Sequence, residues 1–262
     1  MRYDIWNLGS SSEGNCFIVK HKNSSIPLML DCGMSFYQIM RRSKQFNAPF
    51  PEAIFISHEH RDHSCGWEKL IYHVTHIYAS EGTAEMLHEN TFHVNMRHIH
   101  TLRPFTDFTE EIVNCDPEGA PSDEWTVFPL PAKHDSAEPF MYLIRQGRKN
   151  SFLLFAIDTA EIPYDLTNFN ITDVLIECNY MDECIAPDID PFRIARTKAT
   201  HMSLDTLVKF FESGQINLKN LEQITLCHLS QSNCDPWKAK ETIMAATGVP
   251  VQVCAAKGGF IG

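Results

Sequence analysis

Ser57-His58-Glu59-His60-Arg61-Asp62-His63 decides how this 262-residue sequence is interpreted. Four side chains in this stretch can bind metal, in the order His-x-His-x-Asp-His, and they follow the apolar run Ala53-Ile54-Phe55-Ile56. That run predicts a short buried strand, so the ligands would lie in the loop at its end, a common position for functional residues. Imidazole and carboxylate groups together suit a borderline divalent cation such as zinc. A loop this tight cannot direct all four groups at one ion with good geometry, but it can serve two adjacent ions.

The sequence resembles the metallo-β-lactamase superfamily in this motif and in the order of four further residues. Each of the four follows strand-like sequence, and they are Asp31, His134, Asp158 and His228. No single one is specific, but the ordered set spans the chain. The resemblance implies one domain over residues 1–262 with an α/β fold, an αββα sandwich. In such a fold two mixed β-sheets pack face to face and helices cover the outer faces.

The resemblance also implies a centre of two divalent metal ions, with zinc expected first and manganese as an alternative. His58, His60 and His134 would bind one ion. Asp62, His63 and His228 would bind the other, and Asp158 would bridge the pair. Two adjacent cations can share a water and lower its pKa, so that hydroxide becomes the nucleophile.

The same resemblance assigns catalytic roles to two residues. Asp62 would act through the ion that it binds, and His201 would donate a proton to the leaving group. Asp31 would orient the ligand loop without binding metal. Ser203 precedes the predicted helix 204–212, and its hydroxyl with the helix N-terminus is a candidate phosphate ligand. Ser10, Ser11 and Asn15 lie in a loop flanked by glycines that is expected to line the cleft.

Five short segments narrow the resemblance to the YycJ/VicX branch, which is related to RNase J and RNase Z and is described as exonuclease-like and directed at DNA. The segments are Gly9–Asn15, His134–Pro139, Glu177–Asn179, His201–Ser203 and His228–Ser230. One departure is that Thr200-His201-Met202-Ser203 stands where the branch usually has Gly-His-Leu-Ser. The His and the Ser are retained, so the sequence predicts a phosphodiesterase that acts on DNA or RNA.

The net charge of −11 opposes tight, nonspecific binding of duplex nucleic acid, because phosphate neutralisation dominates such binding. Arg193, Arg196 and Lys198 lead into His201 without an intervening acid, so they are candidate phosphate contacts. The alternative for this segment is a solvated loop with ordinary basic residues. A small phosphodiester or a short single strand is compatible with the acidic charge.

Composition predicts a soluble protein of the cytoplasm. The 44% of hydrophobic and 21% of charged residues are ordinary for a globular chain, and no apolar run is long enough for a membrane span. The N-terminus has no apolar signal core. The 9 cysteines form no Cys-x-x-Cys pair, which fits a reducing compartment. The sequence predicts no oligomeric state.

Periodicity predicts strands near residues 3–8, 16–19, 27–31, 53–56, 125–130, 140–145, 151–157, 174–177, 224–227 and 251–254. Helices are expected near residues 37–44, 68–73, 83–89, 204–212 and 236–246. Residues 146–150 predict a hairpin turn, and residues 90–124 predict a surface loop.

Three functions compete at this point. The first is a dinuclear metal phosphodiesterase, either nuclease-like or acting on cyclic nucleotides or other small phosphodiesters. The second is hydrolysis of a carbonyl compound such as a lactone, thioester or β-lactam, which has no need of the basic residues before His201. The third is a metal-bound interaction protein without catalysis, which a missing ligand would favour, and none is missing.

Overall fold

The computed structural model describes residues 1–22, 24–74, 76–89, 91, 98–106, 108–110, 125–146 and 151–261. The strands are β1 Tyr3–Gly9, β2 Cys16–His21, β3 Leu28–Leu30, β4 Ala53–Phe55, β5 His76–Ser80, β6 Ile99–Leu102, β7 Phe108–Glu110, β8 Trp125–Pro131, β9 Phe140–Gln146, β10 Phe152–Ala156, β11 Ile171–Glu177, β12 Gln223–Cys227, β13 Val251–Val253 and β14 Gly259–Phe260. The helices are α1 Phe36–Phe46, α2 Arg61–Ser64, α3 Trp67–Leu70, α4 Glu81–Glu89, α5 Pro191–Thr200, α6 Leu204–Glu212 and α7 Pro236–Thr247. None of the helices in this part of the chain is long and apolar enough to cross a lipid bilayer.

These strands form two seven-stranded sheets. The first has the order β14-β1-β2-β3-β4-β5-β6 and the second the order β13-β12-β11-β10-β9-β8-β7. In both sheets the strands around the middle are buried on both faces. In β10, Leu153 and Phe155 pack in the core between the sheets, whereas Leu154 faces the opposite side. The period-2 alternation of a strand therefore explains why these runs are continuously apolar.

Helices cover the outer face of each sheet. Leu207 and Phe211 of α6, with Ile243 of α7, pack in one cluster with residues of the second sheet. Ile39 of α1 and Trp67 of α3 pack in another cluster with residues of the first sheet. The αββα sandwich expected from the sequence is therefore confirmed.

Each sheet contains a parallel half, and the parallel strands bring several polar residues to one edge. Strands β3 to β6 are parallel in the first sheet, and strands β10 to β13 are parallel in the second. Asp31 and Ser57 follow β3 and β4. Asp158 and His228 follow β10 and β12, and Glu177 ends β11. Carboxyl ends of parallel strands are the usual position of a ligand site in α/β folds.

Some elements differ from the sequence-based expectations. Part of the predicted surface loop 90–124 consists of the strands β6 and β7, and the rest of it lies largely outside the described residues. Residues 191–200 form the helix α5 rather than a loop, because Asp190 caps its first turn and Pro191 occupies its first position. The predicted turn 146–150 lies largely outside the described residues, but the strands on either side of it pair antiparallel as expected.

Candidate metal centre

Asp31 fixes the conformation of the ligand loop between β4 and α2. Its carboxylate accepts hydrogen bonds from the backbone N–H of Ser57 (2.7 Å), from the Ser57 hydroxyl (3.0 Å) and from Nδ1 of His63 (2.7 Å). The Ser57 Oγ in turn lies 3.0 Å from Nδ1 of His58. Because the hydroxyl hydrogen is used by Asp31, this oxygen accepts the Nδ1–H of His58. One buried carboxylate thus orients two histidines, each with its Nδ1 engaged and its Nε2 directed away from Asp31.

His58, His60 and His134 form the first cluster, as the sequence predicts, and their ring nitrogens lie within 4.8 Å of one another. His134 donates from Nδ1 to the Thr200 carbonyl (2.8 Å), which turns its Nε2 to within 3.2 Å of His60 Nδ1. The Nε2 of His58 is buried and has no hydrogen-bond partner among the described residues. A buried nitrogen without a partner is costly, so its position favours a bound cation.

Asp62, His63, Asp158 and His228 form the second cluster. The Oδ2 of Asp62 lies 3.5 Å from Nε2 of His63 and 3.8 Å from Nε2 of His228. The Nε2 of His228 is also buried, and no residue in the described part of the chain forms a hydrogen bond with it. The nitrogens and the carboxylate oxygen therefore face a common space, as three ligands of one ion would.

Asp158 lies between the two clusters. Its Oδ2 is 3.0 Å from Nε2 of His63 in the second cluster, and 3.6 Å from Nε2 of both His58 and His134 in the first. The backbone of Asp158 has a φ of 55°, and Asp31 and His228 have φ values of 57° and 50°. Left-handed backbone at three non-glycine positions after strand ends stores strain, which is typical of functional sites.

Glu177 lies within the candidate site, although its sequence pattern did not predict a role for it. It is fully buried at the end of β11, and its Oε1 accepts from Nδ1 of His201 (2.7 Å) and of His228 (3.0 Å). Its Oε2 accepts from the backbone N–H groups of Thr159 (3.1 Å) and Met202 (3.2 Å). The signal in the sequence was an acidic residue ending the apolar run Val174-Leu175-Ile176-Glu177. Asn179 supports the same region by donating to the His228 carbonyl (3.0 Å).

Burial and neighbouring charges divide the histidines into two kinds. Burial, together with the neighbouring His63, holds the pKa of His58 well below its usual range, and burial also lowers that of His134. Burial also acts to lower the pKa of His228, but the carboxylates of Asp158 and Glu177 outweigh burial and raise this pKa to about 9. Excess negative charge is thus concentrated at the second cluster. A cation held there would replace the imidazole protons, since only neutral imidazole binds metal.

The residues present therefore fit two divalent cations. Two buried ring nitrogens without partners face the same region as the buried carboxylate of Asp158. The donors are nitrogen and oxygen atoms, which suits zinc and also manganese.

His201 lies beside both clusters and lines the same cleft as His60, Asp62 and Asp158. Its Nδ1 donates a hydrogen bond to Glu177, so its Nε2 is not engaged by that carboxylate. Its Nδ1 also lies 3.5 Å from Asp158, and burial acts to lower its pKa, but Glu177 and Asp158 raise it to about 10. The position agrees with the proton-donor role that the sequence suggested. His201 also belongs to a third group of potential ligands, with Asp158, Glu177 and His228.

Three predicted substrate contacts near the N-terminus have different positions. Ser11 lines the cleft, which has a volume of about 420 Å³. Ser10 instead uses its buried hydroxyl to accept the backbone N–H of His228 (2.8 Å). Asn15 is buried, and its Nδ2 lies 3.0 Å from Nε2 of His63, while its backbone N–H donates to the Asp62 carbonyl (2.7 Å). Ser10 and Asn15 therefore contact residues of the candidate metal centre and do not act as the predicted substrate contacts.

The predicted phosphate contacts also differ in their position relative to the cleft. Arg193 and Arg196 line the cleft from α5, but Arg196 forms a bidentate ion pair with Asp135 (2.6 and 3.1 Å). Lys198 pairs with Asp182 (2.6 Å) and is not among the residues that line the cleft. The Ser203 hydroxyl accepts from the N–H of Thr206 (3.1 Å) and so caps α6. Ser203 is buried and does not line the cleft, so the structure gives it a capping role.

Comparison with solved structures shows the same fold over the whole chain. The metallo-β-lactamase fold protein YhfI from Bacillus subtilis is 15% identical, with a TM-score of 0.65 and coverage of 99% of each chain. A diphosphatase from the PhnP family is 16% identical, with a TM-score of 0.61 and coverage of 100% of this chain and 97% of that one. Zn²⁺-bound PqqB from Methylobacterium extorquens is 14% identical, with a TM-score of 0.64 and coverage of 99% of each chain.

No curated protein matches the sequence significantly. A family model does match it: residues 28–221 fit the model described as the beta-lactamase superfamily domain. That range includes the ligand loop, Asp31, His134, Asp158 and Glu177. With the two His/Asp clusters and the αββα sandwich, the match identifies the chain as a member of the β-lactamase superfamily, with the metallo-β-lactamase fold of metal-dependent hydrolases.

Proposed function

We propose that this protein is a dinuclear metal-dependent phosphodiesterase of the YycJ/VicX type that hydrolyses DNA or RNA in an exonuclease-like manner. His58, His60 and His134 would hold one ion. Asp62, His63 and His228 would hold the other, and Asp158 would be shared by both. Zinc is the expected metal and manganese the alternative. The observation that carries the proposal is the position of Asp158, whose carboxylate approaches histidines of both clusters.

Two divalent cations at this centre supply a water of lowered pKa and stabilise negative charge on the reacting phosphate. The protein's own residues then orient the substrate and handle the leaving group. Arg193 lies on the cleft wall and makes no ion pair among the described residues, so its guanidinium is available to a phosphate oxygen. His201 donates a proton from Nε2 to the departing oxygen, while Glu177 holds its Nδ1.

A small phosphodiester is the second candidate substrate, and three observations favour it. Arg196 and Lys198, two of the three basic residues before His201, are already paired with Asp135 and Asp182. The net charge of −11 also disfavours a long polyanion. The PhnP-family structure that shares this fold is named as a diphosphatase, which is also a phosphorus–oxygen hydrolase.

A substrate panel on metal-reconstituted protein tests the proposal. The panel contains bis-p-nitrophenyl phosphate, single- and double-stranded DNA, RNA, cyclic nucleotides and a lactone, each with zinc and with manganese. His58→Ala should abolish turnover, whereas His88→Ala is the matched control because His88 is exposed on α4, outside the candidate metal centre. Cleavage of phosphodiesters supports the proposal. Turnover of the lactone alone would instead assign carbonyl chemistry to the centre.

A further inference from the structure

A second pocket adjoins the candidate metal cleft and is not needed for the metal chemistry. The two share Leu229, Ser230 and Gln231, the residues that directly follow the predicted ligand His228. The second pocket has a volume of about 580 Å³, within the range of about 300–1,000 Å³ in which small-molecule sites fall. A ligand group attached to a phosphate in the metal cleft can therefore extend into it.

The lining of this pocket is mainly apolar with one aromatic wall. The apolar lining comes largely from the end of β13 and the residues after it, Val253, Cys254, Ala255 and Ala256. Lys240 is the only charged side chain among the described residues that line the pocket. A pocket without carboxylates beside a phosphate site suits a ligand that carries negative charge.

Trp237 provides the aromatic wall. It is the second residue of α7, where Asp235 caps the helix and Pro236 starts it, so the helix holds the backbone of Trp237 in place. Its side chain is 74% exposed, whereas Trp6, Trp67 and Trp125 are buried. An exposed indole beside a pocket offers a flat surface on which an aromatic ligand can stack. Lys240 Nζ lies 5.9 Å from the centroid of the indole ring, so a positive charge is close to the stacking surface.

We propose that this pocket is a nucleobase subsite, in which the base of a nucleotide stacks on Trp237 while its phosphate lies in the metal cleft. The subsite rests on the proposed phosphodiesterase function and gives it a substrate class, nucleotides rather than simple phosphodiesters. A base is flat and aromatic, and it arrives attached to a phosphate, which matches the indole, the apolar lining and Lys240. The Gln231 side chain offers an amide for the polar edge of the base.

Three chromogenic substrates test the subsite. Thymidine p-nitrophenyl phosphate, as its 5′ and 3′ isomers, and methyl p-nitrophenyl phosphate release the same leaving group, but only the first carries a base. Trp237→Ala should lower the ratio of kcat/KM between the thymidine and methyl substrates by about 5- to 150-fold for at least one isomer. Trp237→Phe should restore most of the ratio, and Tyr37→Ala, which removes an exposed aromatic from α1, should leave it unchanged. An unchanged ratio in Trp237→Ala for both isomers would overturn the subsite.

Tryptophan fluorescence gives a second readout that does not require turnover. Since Trp237 is the one exposed tryptophan of the four described, thymidine 5′-monophosphate bound in the pocket should quench its emission, and methyl phosphate should not. Trp237→Phe should remove the quenching. Absence of quenching in the metal-loaded protein, or quenching that survives in Trp237→Phe, contradicts the subsite. If the metal-loaded protein hydrolyses none of the diesters but nucleotide still quenches Trp237, the phosphodiesterase proposal fails and the base subsite stands.

Discussion

Replacement of Glu177 by Gln should weaken the metal centre without removing any metal ligand. Four N–H groups converge on this buried carboxylate, two on each oxygen. A glutamine has one oxygen, so its amide nitrogen must face two donors. If that nitrogen faces the histidines, His201 and His228 lose the oxygen that they share, and the Nδ1–H of His228 turns to Oδ1 of Asp158, 2.5 Å away. That hydrogen bond engages the carboxylate proposed to bridge the two ions, so the centre should bind metal less tightly.

The expected size of the effect follows from this arrangement. Loss of a group that orients a metal-bound histidine costs about 10- to 100-fold in metal affinity, which corresponds to about 1.4–2.7 kcal/mol. The metal-free protein should also lose about 1–3 kcal/mol in its free energy of unfolding, because at least one buried donor is left without an acceptor. Both effects should therefore appear in Glu177→Gln.

Metal affinity is measured by competition with a chromogenic chelator, and the free energy of unfolding by urea denaturation. Asp173→Asn is the matched control, because Asp173 is a buried acid near the start of β11, the strand that ends at Glu177. Its carboxylate accepts a hydrogen bond from the backbone N–H of Arg2 (3.0 Å). This substitution should lower stability and leave metal affinity intact. Wild-type metal affinity in Glu177→Gln, or an equal loss of affinity in Asp173→Asn, would refute the role assigned to Glu177.

Three further substitutions test the other parts of the centre. Asp158→Ala should remove both ions from the protein, measured as metal content after gel filtration; retention of one tightly bound ion would contradict bridging. His201→Ala should lower kcat on an oligonucleotide by about 10²–10⁴-fold with unchanged metal content, and the loss should be smaller on a p-nitrophenyl ester, whose leaving group needs no proton; equal losses would point to a different role. Arg193→Ala should reduce the salt dependence of KM for a single-stranded oligonucleotide by about 0.7 in slope, whereas Lys198→Ala should not, because Lys198 is outside the cleft; identical effects of the two would contradict this assignment.

The positions of the candidate ligands could be predicted from the sequence because each depends on a local pattern. The His-x-His-x-Asp-His motif follows a buried strand and folds into a loop whose side chains point to one region. Asp31, His134, Asp158 and His228 each follow strand-like sequence, so their approximate placement at strand ends was also predictable. How they meet depends on the order of strands in each sheet, which the local sequence does not contain. The resemblance supplied the two-sheet architecture and the expected ligand sets.

The contacts of Glu177, and the different directions of Arg193 and Lys198 on α5, could not be predicted from local sequence in the same way. The role of Glu177 requires β11 to lie between β10 and β12, so that one carboxylate reaches residues that follow β10, β11 and β12. On α5, Lys198 lies five residues after Arg193 and hence about 140° round the helix. A loop would have allowed Arg193 and Lys198 to reach one phosphate, whereas the helix directs Arg193 to the cleft and Lys198 away from it. The Asp190-Pro191 pair was the signal for that helix.

Metal stoichiometry followed together with activity is the most direct test of the central claim. Metal-free protein is titrated with zinc and, separately, with manganese, while bound metal and hydrolysis of bis-p-nitrophenyl phosphate are measured in the same samples. We expect two ions per chain, with full activity only when both are bound, and loss of activity on removal of the metal by a chelator. Saturation at one ion per chain, or hydrolysis that persists after the chelator has removed the metal, would contradict a dinuclear centre built on Asp158.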